Sequence, residues 1–373
     1  MALSPGDPAP WFRARVGDNP VFAFDAAAGR YVVLCFFLSA HDAVAQRALA
    51  SVAAHRAMFD DSRCSLFGVS IDPGDEREAR VRDAPPGIRV IRDLDGAVAR
   101  AYGAIPADAR PDEGPLATRR LWVVLDPTLR VMAVFPFAAD GGEQASLFAY
   151  LQGLPPVDRF AGFTLQAPAL MIPNVFEAEF CRLLIGLYDK NSGRDSGFMR
   201  DVDGKTSLVI DARQKRRKDH LIDDPAVLAG IVARLKRRLL PEVAKALQFK
   251  ATRMERYMVS CYAAEDGGHF RPHRDNTARG TEHRKFAVSL NLNDDFDGGE
   301  LVFPEYGERG FKMAPGMAGV FSCALLHKVT PVTRGRRFAF LPFLYDDDGA
   351  RTRLANNKFL ADDLPPYRDP LIR

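Results

Sequence analysis

The amino-acid sequence predicts two units of different fold class, an α/β unit over residues 1–155 and an α+β unit over 160–373. Three observations carry this expectation. Residues 1–150 alternate short apolar runs with helical stretches, Gly153-Leu-Pro-Pro156 interrupts that rhythm, and beyond Phe249 the apolar segments become short strands at close spacing. A length of 373 residues is long for one core and comfortable for two.

In the first unit, Tyr31–Leu38 reads as a buried strand and Ala43–Met58 as a helix. Leu66–Ile71 and Arg89–Ile91 are further strands, and Gly96–Tyr102 a second helix. Asp126-Pro-Thr-Leu-Arg130 is a turn signal between Leu121–Leu125 and Val131–Phe135, which therefore form a hairpin, and the helix Glu143–Leu151 closes the unit. Strands separated by helices imply a parallel sheet covered on both faces, with the hairpin added to it. In the second unit Asn174 is expected to cap a helix, with Glu177 three residues on. Another helix starts at Asp224-Pro225, where proline suits the first helical position, and Leu228, Ile231, Leu235 and Leu239 follow its period. The tail from Asp346 to the closing Asp369-Pro-Leu-Ile-Arg373, rich in charge and proline, reads as irregular.

A hydrophobic share of 47% beside 27% charged residues is a globular balance and excludes a low-complexity chain. The longest apolar run, Tyr31–Leu38, is too short to span a bilayer, and the opening MALSPGDPAPWF lacks the basic-then-apolar order of a secretory signal. Five scattered cysteines make neither a disulfide framework nor a CxxC pair. A cytoplasmic protein without membrane contact is expected. The net charge of +3 and the lack of a nucleic-acid module speak against a nucleic-acid partner. The basic clusters Arg213–Lys218 and Arg234–Arg238 read as a solvated loop and a solvated helix face, with an acidic or extended substrate near the first as the sharper alternative.

The chemistry concentrates in the second half. His273 and Asp275, two apart in His269-Phe-Arg-Pro-His-Arg-Asp275, point to one side of an extended chain and can grip one ion. His327, 54 residues beyond His273, is the candidate third ligand. Two histidines and a carboxylate form a face with open positions, the pattern of non-haem Fe(II) oxygenases. Ten residues further, Arg337 opens a strand and offers a planar fork to a carboxylate. Arg336 is its rival. Strand parity groups Arg336 with Phe338 and Phe340 but Arg337 with Ala339, and the smaller face is better suited to a cavity. Lys285–Asn293 alternates, with Phe286, Val288, Leu290 and Leu292 on one face and Ala287, Ser289, Asn291 and Asn293 on the other, as in a barrel wall beside a ligand cavity. Asp297-Gly-Gly-Glu300 is a tight turn. His269 reads as a loop residue, His220 and His283 as solvated, and Cys261 and Cys323 as buried structural thiols.

On Cys261-Tyr262, Gly268–Asn276, Asp297-Gly-Gly-Glu-Leu301 and His327-Lys-Val-Thr-Pro-Val-Thr-Arg-Gly-Arg-Arg337, residues 160–347 resemble the prolyl 4-hydroxylase-type Fe(II)/2-oxoglutarate-dependent dioxygenases. The resemblance implies a double-stranded β-helix (jelly-roll) domain, with iron on His273, Asp275 and His327. It implies Arg337 on the distal carboxylate of 2-oxoglutarate and Tyr262 lining the co-substrate pocket, with Tyr257 as alternative because one extra residue separates Tyr262 from His273. Ser289 or Asn291 stands where some relatives place a tyrosine against the co-substrate. It further implies O2 as oxidant, succinate and CO2 as co-products, and room for ascorbate. The product would be a hydroxylated prolyl or other amino-acid side chain, in a protein or a small molecule. Asp275 distinguishes the pattern from related halogenases, which lack that carboxylate.

The first half, on Pro5-Gly-Asp-Pro-Ala-Pro10, Tyr31–Met58, Asp93–Gly103 and Thr118–Pro127, resembles a thioredoxin-fold peroxiredoxin. Its function does not follow, because Phe36-Phe-Leu-Ser-Ala-His-Asp-Ala-Val-Ala-Gln-Arg47 holds no cysteine, and Gln46 falls at the nucleophile's place. Cys35 and Cys64 lie elsewhere. A docking or homodimerising module is expected. The reading from another class is a silent metal-binding scaffold, or a redox sensor responding through Cys35 or Cys64.

Overall fold

The protein is described by a computed structural model covering residues 3–112, 114 and 116–368. Backbone contacts divide it into two units: residues up to Gln166 together with Pro304–Glu308, and Ala167–Phe303 together with the chain from Arg309 onward.

The first unit is built on β1 (Arg13–Val16), β2 (Asn19–Ala23), β3 (Tyr31–Leu38), α1 (Ala43–Ala54), β4 (Cys64–Ser70), α2 (Gly74–Arg77), β5 (Ile88–Arg92), α3 (Ala97–Ala101), β6 (Leu121–Leu125), β7 (Val131–Pro136) and α4 (Gly142–Gln152). They make one seven-stranded sheet in the order β2-β1-β5-β4-β3-β6-β7. The β3–β4 and β4–β5 pairs are parallel and the β6–β7 hairpin antiparallel. Every residue of β3 is buried, as a central strand covered on both faces requires. The helix expected over Ala43–Met58 ends at Ala54, and a separate 3-10 turn spans Arg56–Met58. Its cap is Asp42, whose carboxylate accepts the N–H groups of Val44 and Ala45.

The second unit contains β8 (Ala169–Ile172), α5 (Ala178–Asn191), β9 (Arg194–Asp195), β10 (Phe198–Val202), β11 (Lys205–Val209), β12 (Lys215–Arg216), β13 (Lys218–Leu221), α6 (Pro225–Arg234) and α7 (Leu240–Leu247). There follow β14 (Arg253–Glu255), β15 (Met258–Ala263), β16 (His269–His273), β17 (Phe286–Asn291), β18 (Asp297–Gly298), β19 (Leu301–Val302), β20 (Gly310–Phe311) and β21 (Ala318–Ser322). The last elements are β22 (His327–Val329), β23 (Val332–Arg334), β24 (Arg336–Phe340), β25 (Phe343–Tyr345) and α8 (Asp347–Ala355). A major sheet runs β14-β25-β17-β24-β15-β13-β9, with β21 and β8 attached through β17, and a minor sheet runs β12-β16-β22-β19-β20. The main apolar core joins α5 and α6 to the major sheet through Leu184, Ile231, Val288, Leu290 and Phe340. No helix among the described residues is long and apolar enough to cross a membrane.

Several expectations are corrected here. Asn174 does not cap α5. It takes a left-handed turn conformation (φ 55°), the helix starts four residues later, and Glu177 at the cap position gives its carboxylate to Arg234 and Arg238 instead. The cluster Arg234–Arg238 is therefore only partly solvated. The segment Arg213–Lys218 is not a solvated loop: it forms β12 and enters β13, and burial alternates along it. The tail is not irregular throughout, since Asp346 accepts the Gly349 N–H and starts α8. Its closing Asp369–Arg373 lies outside the described residues. His283, read as solvated, is 1% exposed.

Candidate active site

Cross-strand pairing brings the two histidines together. In the β16–β22 ladder His273 stands directly opposite His327, and the strand irregularity between Phe270 and His273 falls just before the pair. Asp275 follows β16, fixed by its backbone N–H donating to the Cys323 carbonyl at 2.9 Å. One ligand atom from each of His273, Asp275 and His327 lies within 4.8 Å of the others. The carboxylate reaches both imidazoles, with Oδ1 3.6 Å from His273 Nε2 and Oδ2 3.3 Å from His327 Nε2. Each Nδ1 lies within hydrogen-bond distance of a carbonyl two residues back, His273 with Arg271 (2.8 Å) and His327 with Leu325 (3.0 Å). Protonated at Nδ1, both rings turn their Nε2 lone pairs toward the shared centre, the arrangement that metal-ligating histidines adopt. Burial, and then the neighbouring His327, push the His273 imidazolium well below its usual pKa, which keeps the ring in its ligating form. The donor set of two imidazoles and one carboxylate fits a divalent iron.

Arg337 is 1% exposed on β24. Its Nε donates to Asn291 Oδ1 (3.1 Å), and its Nη2 to Asn291 Oδ1 (2.9 Å) and Ser289 Oγ (3.0 Å). The Asn291 amide is held for this by donating to the Met313 carbonyl at 2.8 Å. Ser289 and Asn291 thus orient the guanidinium, leaving Nη1 buried with no hydrogen-bond partner. A buried donor without an acceptor is costly unless a ligand supplies one, so Nη1 fits an incoming carboxylate. Gly299, at φ 62°, leaves room for the same side chain: a Cβ there would stand 3.1 Å from Arg337 Cδ. Arg336 instead points outward and pairs with Asp189 at 2.9 Å, as strand parity implied.

Tyr262 pairs with Arg337 across β15–β24, and the Arg337 guanidinium lies 5.4 Å from its ring centroid. It is also clustered with Phe270, which stacks on His273 at 3.4 Å between centroids. Tyr257 packs against the main apolar core instead. Of the two tyrosines, Tyr262 is the one in these surroundings.

Sequence reasoning missed a buried basic wall. Lys215 and Arg217 are 4% and 8% exposed. Lys215 Nζ donates to Ser196 Oγ and the Gly197 carbonyl, both at 2.7 Å, and stands 4.9 Å from the Phe270 ring centroid. Arg217 donates to Asp219 Oδ2 (2.7 Å), Ser196 Oγ (3.1 Å) and the Tyr262 hydroxyl (3.4 Å). Burial, with Arg217 and Arg256 nearby, holds Lys215 well below its usual pKa. The available signal was period two, since Lys215, Arg217 and Asp219 are spaced to share one face of an extended chain.

The thiols of the first unit are closed off. Cys35 is fully buried, and that burial raises its pKa well above the ordinary value; the same cause pushes Cys64 up to about 12. Gln46, at the nucleophile's place, turns its amide back to the Ala40 and His41 carbonyls, both 3.3 Å away.

A trio that could hold a metal ion, linked through Phe270 and Tyr262 to a buried, half-engaged arginine fork, matches the pattern of the non-haem iron oxygenases. Comparison with known proteins agrees. Residues 257–345 match the family model of the 2OG-Fe(II) oxygenase superfamily, and residues 5–133 that of the AhpC/TSA family. A PKHD-type hydroxylase of Shewanella sp. (strain MR-7) is 32% identical over 197 residues, covering 49% of this chain and 82% of the relative. Among solved structures, a Pseudomonas putida prolyl-4-hydroxylase aligns at 18% identity and a TM-score of 0.37, covering 50% of this chain and 95% of that one. Mycobacterium tuberculosis AhpC aligns at 18% identity and a TM-score of 0.34, covering 41% and 94%. The chain belongs to the 2OG-Fe(II) oxygenase superfamily and carries a peroxiredoxin-like first half that lacks the peroxidatic cysteine.

Proposed function

We propose that this protein is an Fe(II)- and 2-oxoglutarate-dependent hydroxylase of an amino-acid side chain, prolyl or other, in a peptide or a small molecule. The observation that carries the proposal is the convergence of His273, Asp275 and His327 within 4.8 Å. These three side chains would hold iron, which when bound supplies the oxygen chemistry. Arg337 would take the distal carboxylate of 2-oxoglutarate on Nη1, its plane preset by Ser289 and Asn291. Tyr262, its hydroxyl held by Arg217, would line the same pocket, and the Phe270 and Tyr262 rings would keep water from the reacting centre. The co-products would be succinate and CO2.

Lys215 and Arg217 are buried and engaged by Ser196, Gly197 and Asp219, so they would shape this side of the site rather than attract an acidic substrate. The burial of Cys35 and Cys64 weighs against the redox-sensor reading. The experiment is anaerobic loading with Fe(II) and 2-oxoglutarate, followed by admission of oxygen and measurement of succinate. Wild type should form succinate and His273→Ala none. Failure of the metal-loaded wild type to bind 2-oxoglutarate would remove the proposal.

A further inference from the structure

A second buried charge cluster lies behind the ligand trio, and nothing in the proposed reaction uses it. Glu255 of β14 is 8% exposed and gathers three basic side chains. Arg284 Nε donates to its Oε1 at 2.6 Å, Arg353 Nη2 stands 2.5 Å from Oε2, and His283 Nε2 lies 3.4 Å from Oε1. Burial alone would raise the Glu255 carboxyl, but Arg284, His283 and Arg353 hold it well below the carboxylate range. The cluster leads to the metal-binding face. Arg284 Nη1 donates to the backbone carbonyl of Asp275 at 3.2 Å, while the Asp275 N–H is tied to Cys323. Both polar groups of that peptide position are thereby engaged.

At its other end the cluster is anchored by the segment that follows the sheet. Arg353 belongs to α8, where it also donates to the Tyr345 hydroxyl at 2.9 Å and lies over the Tyr367 ring. The helix is seated closely: a Cβ at Gly349 would come within 2.9 Å of the His283 carbonyl. Arg253 and Thr252 fasten its first turn through Asp347, both at 2.9 Å. A chain of contacts therefore runs from α8 through Glu255 and Arg284 to the carbonyl of Asp275.

We propose that Arg353, Glu255 and Arg284 are positioning residues for the metal site, so that α8 acts as a brace fixing the Asp275 carboxylate for its ion. This rests on the reading of Asp275 as a metal ligand. Outer contacts of this kind change metal affinity by roughly 10- to 100-fold when removed. Arg353 is the residue to change, because Glu255 keeps Arg284 and is not left as a lone buried charge.

The test is a Co(II) titration of the full-length apo protein, followed by visible absorption, with the apo melting curve recorded for each variant. Wild type should bind and His273→Ala should not. Arg353→Met should bind roughly 10-fold more weakly at an apo melting temperature close to wild type, with Arg353→Lys in between. If wild type does not bind Co(II), the metal reading fails. If wild type binds and Arg353→Met matches it, the brace fails while the metal reading stands. Should Arg353→Met not fold, Arg353→Lys decides, since affinity equal to wild type would overturn the brace.

Discussion

At the start of α1 the first unit spends its polar groups on itself: Asp42 caps the helix and pairs with Arg120, and the Gln46 amide bonds back to backbone carbonyls. Beyond β16 the second unit does the opposite. His273, Asp275 and His327 satisfy their outer edges with backbone and leave Nε2 and carboxylate oxygens facing one centre, while Arg337 keeps Nη1 unused. Both halves match a family model, and around these two places the groups are turned differently: inward to the helix cap in the first unit, toward one shared centre in the second. Fold and site are separate questions, and the contrast between these two places concerns the site alone.

The contrast can be broken first at Arg337. Replacing it with Met, which keeps the stem and removes the fork, should raise the KM for 2-oxoglutarate roughly 100-fold, as loss of charge-assisted hydrogen bonds worth about 1.5–3 kcal/mol each implies. Succinate formation against co-substrate concentration measures this, and an unchanged KM would mean the unused Nη1 serves nothing.

The next effect belongs to the first unit and concerns folding alone. Burial raises the Asp93 carboxyl to about 6 although its oxygens accept the Val98 and Ala99 N–H groups. A raised folded-state pKa means that the native state holds the proton after the unfolded chain has lost it. Its contribution is complete below about pH 4 and is lost as pH rises through about 6, some 3 kcal/mol in all. Urea denaturation of wild type beside Asp93→Asn should show that pH-dependent difference, and parallel pH profiles would contradict it.

The smallest expected effect is an absence of change. With Cys35 and Cys64 buried and their thiols raised, Cys35→Ser with Cys64→Ala should alter neither succinate formation nor peroxide consumption. A native-state thiol titration that consumes reagent rapidly would overturn this and reopen a redox role.

Part of the site was legible because His273, His327 and Arg337 lie on strands. Parity separates buried Arg337 from exposed Arg336, whereas Asp275 reaches His273 from the turn after β16 and not from the strand itself. What sequence could not supply was long-range company. His283 looked solvated because its partner Glu255 lies 28 residues away, on a strand that pairs with β25. Lys215 and Arg217 looked like a solvated charge run, since the rule that such runs face water fails where strands bring Ser196 and Asp219 alongside. The cap at Asp346 was present in the sequence but hidden by the composition of the tail.

The pairing of His273 with His327 has a mechanical corollary. An ion gripped by both is a cross-link between points 54 residues apart in the chain, closing a loop that unfolding must reopen. Because the unfolded chain offers no such preformed grip, occupancy would add to stability by mass action, about 2.7 kcal/mol at a hundred times Kd. Amide exchange along β16 and β22 would then slow as the ion is added, so the strands themselves would register whether the site is filled.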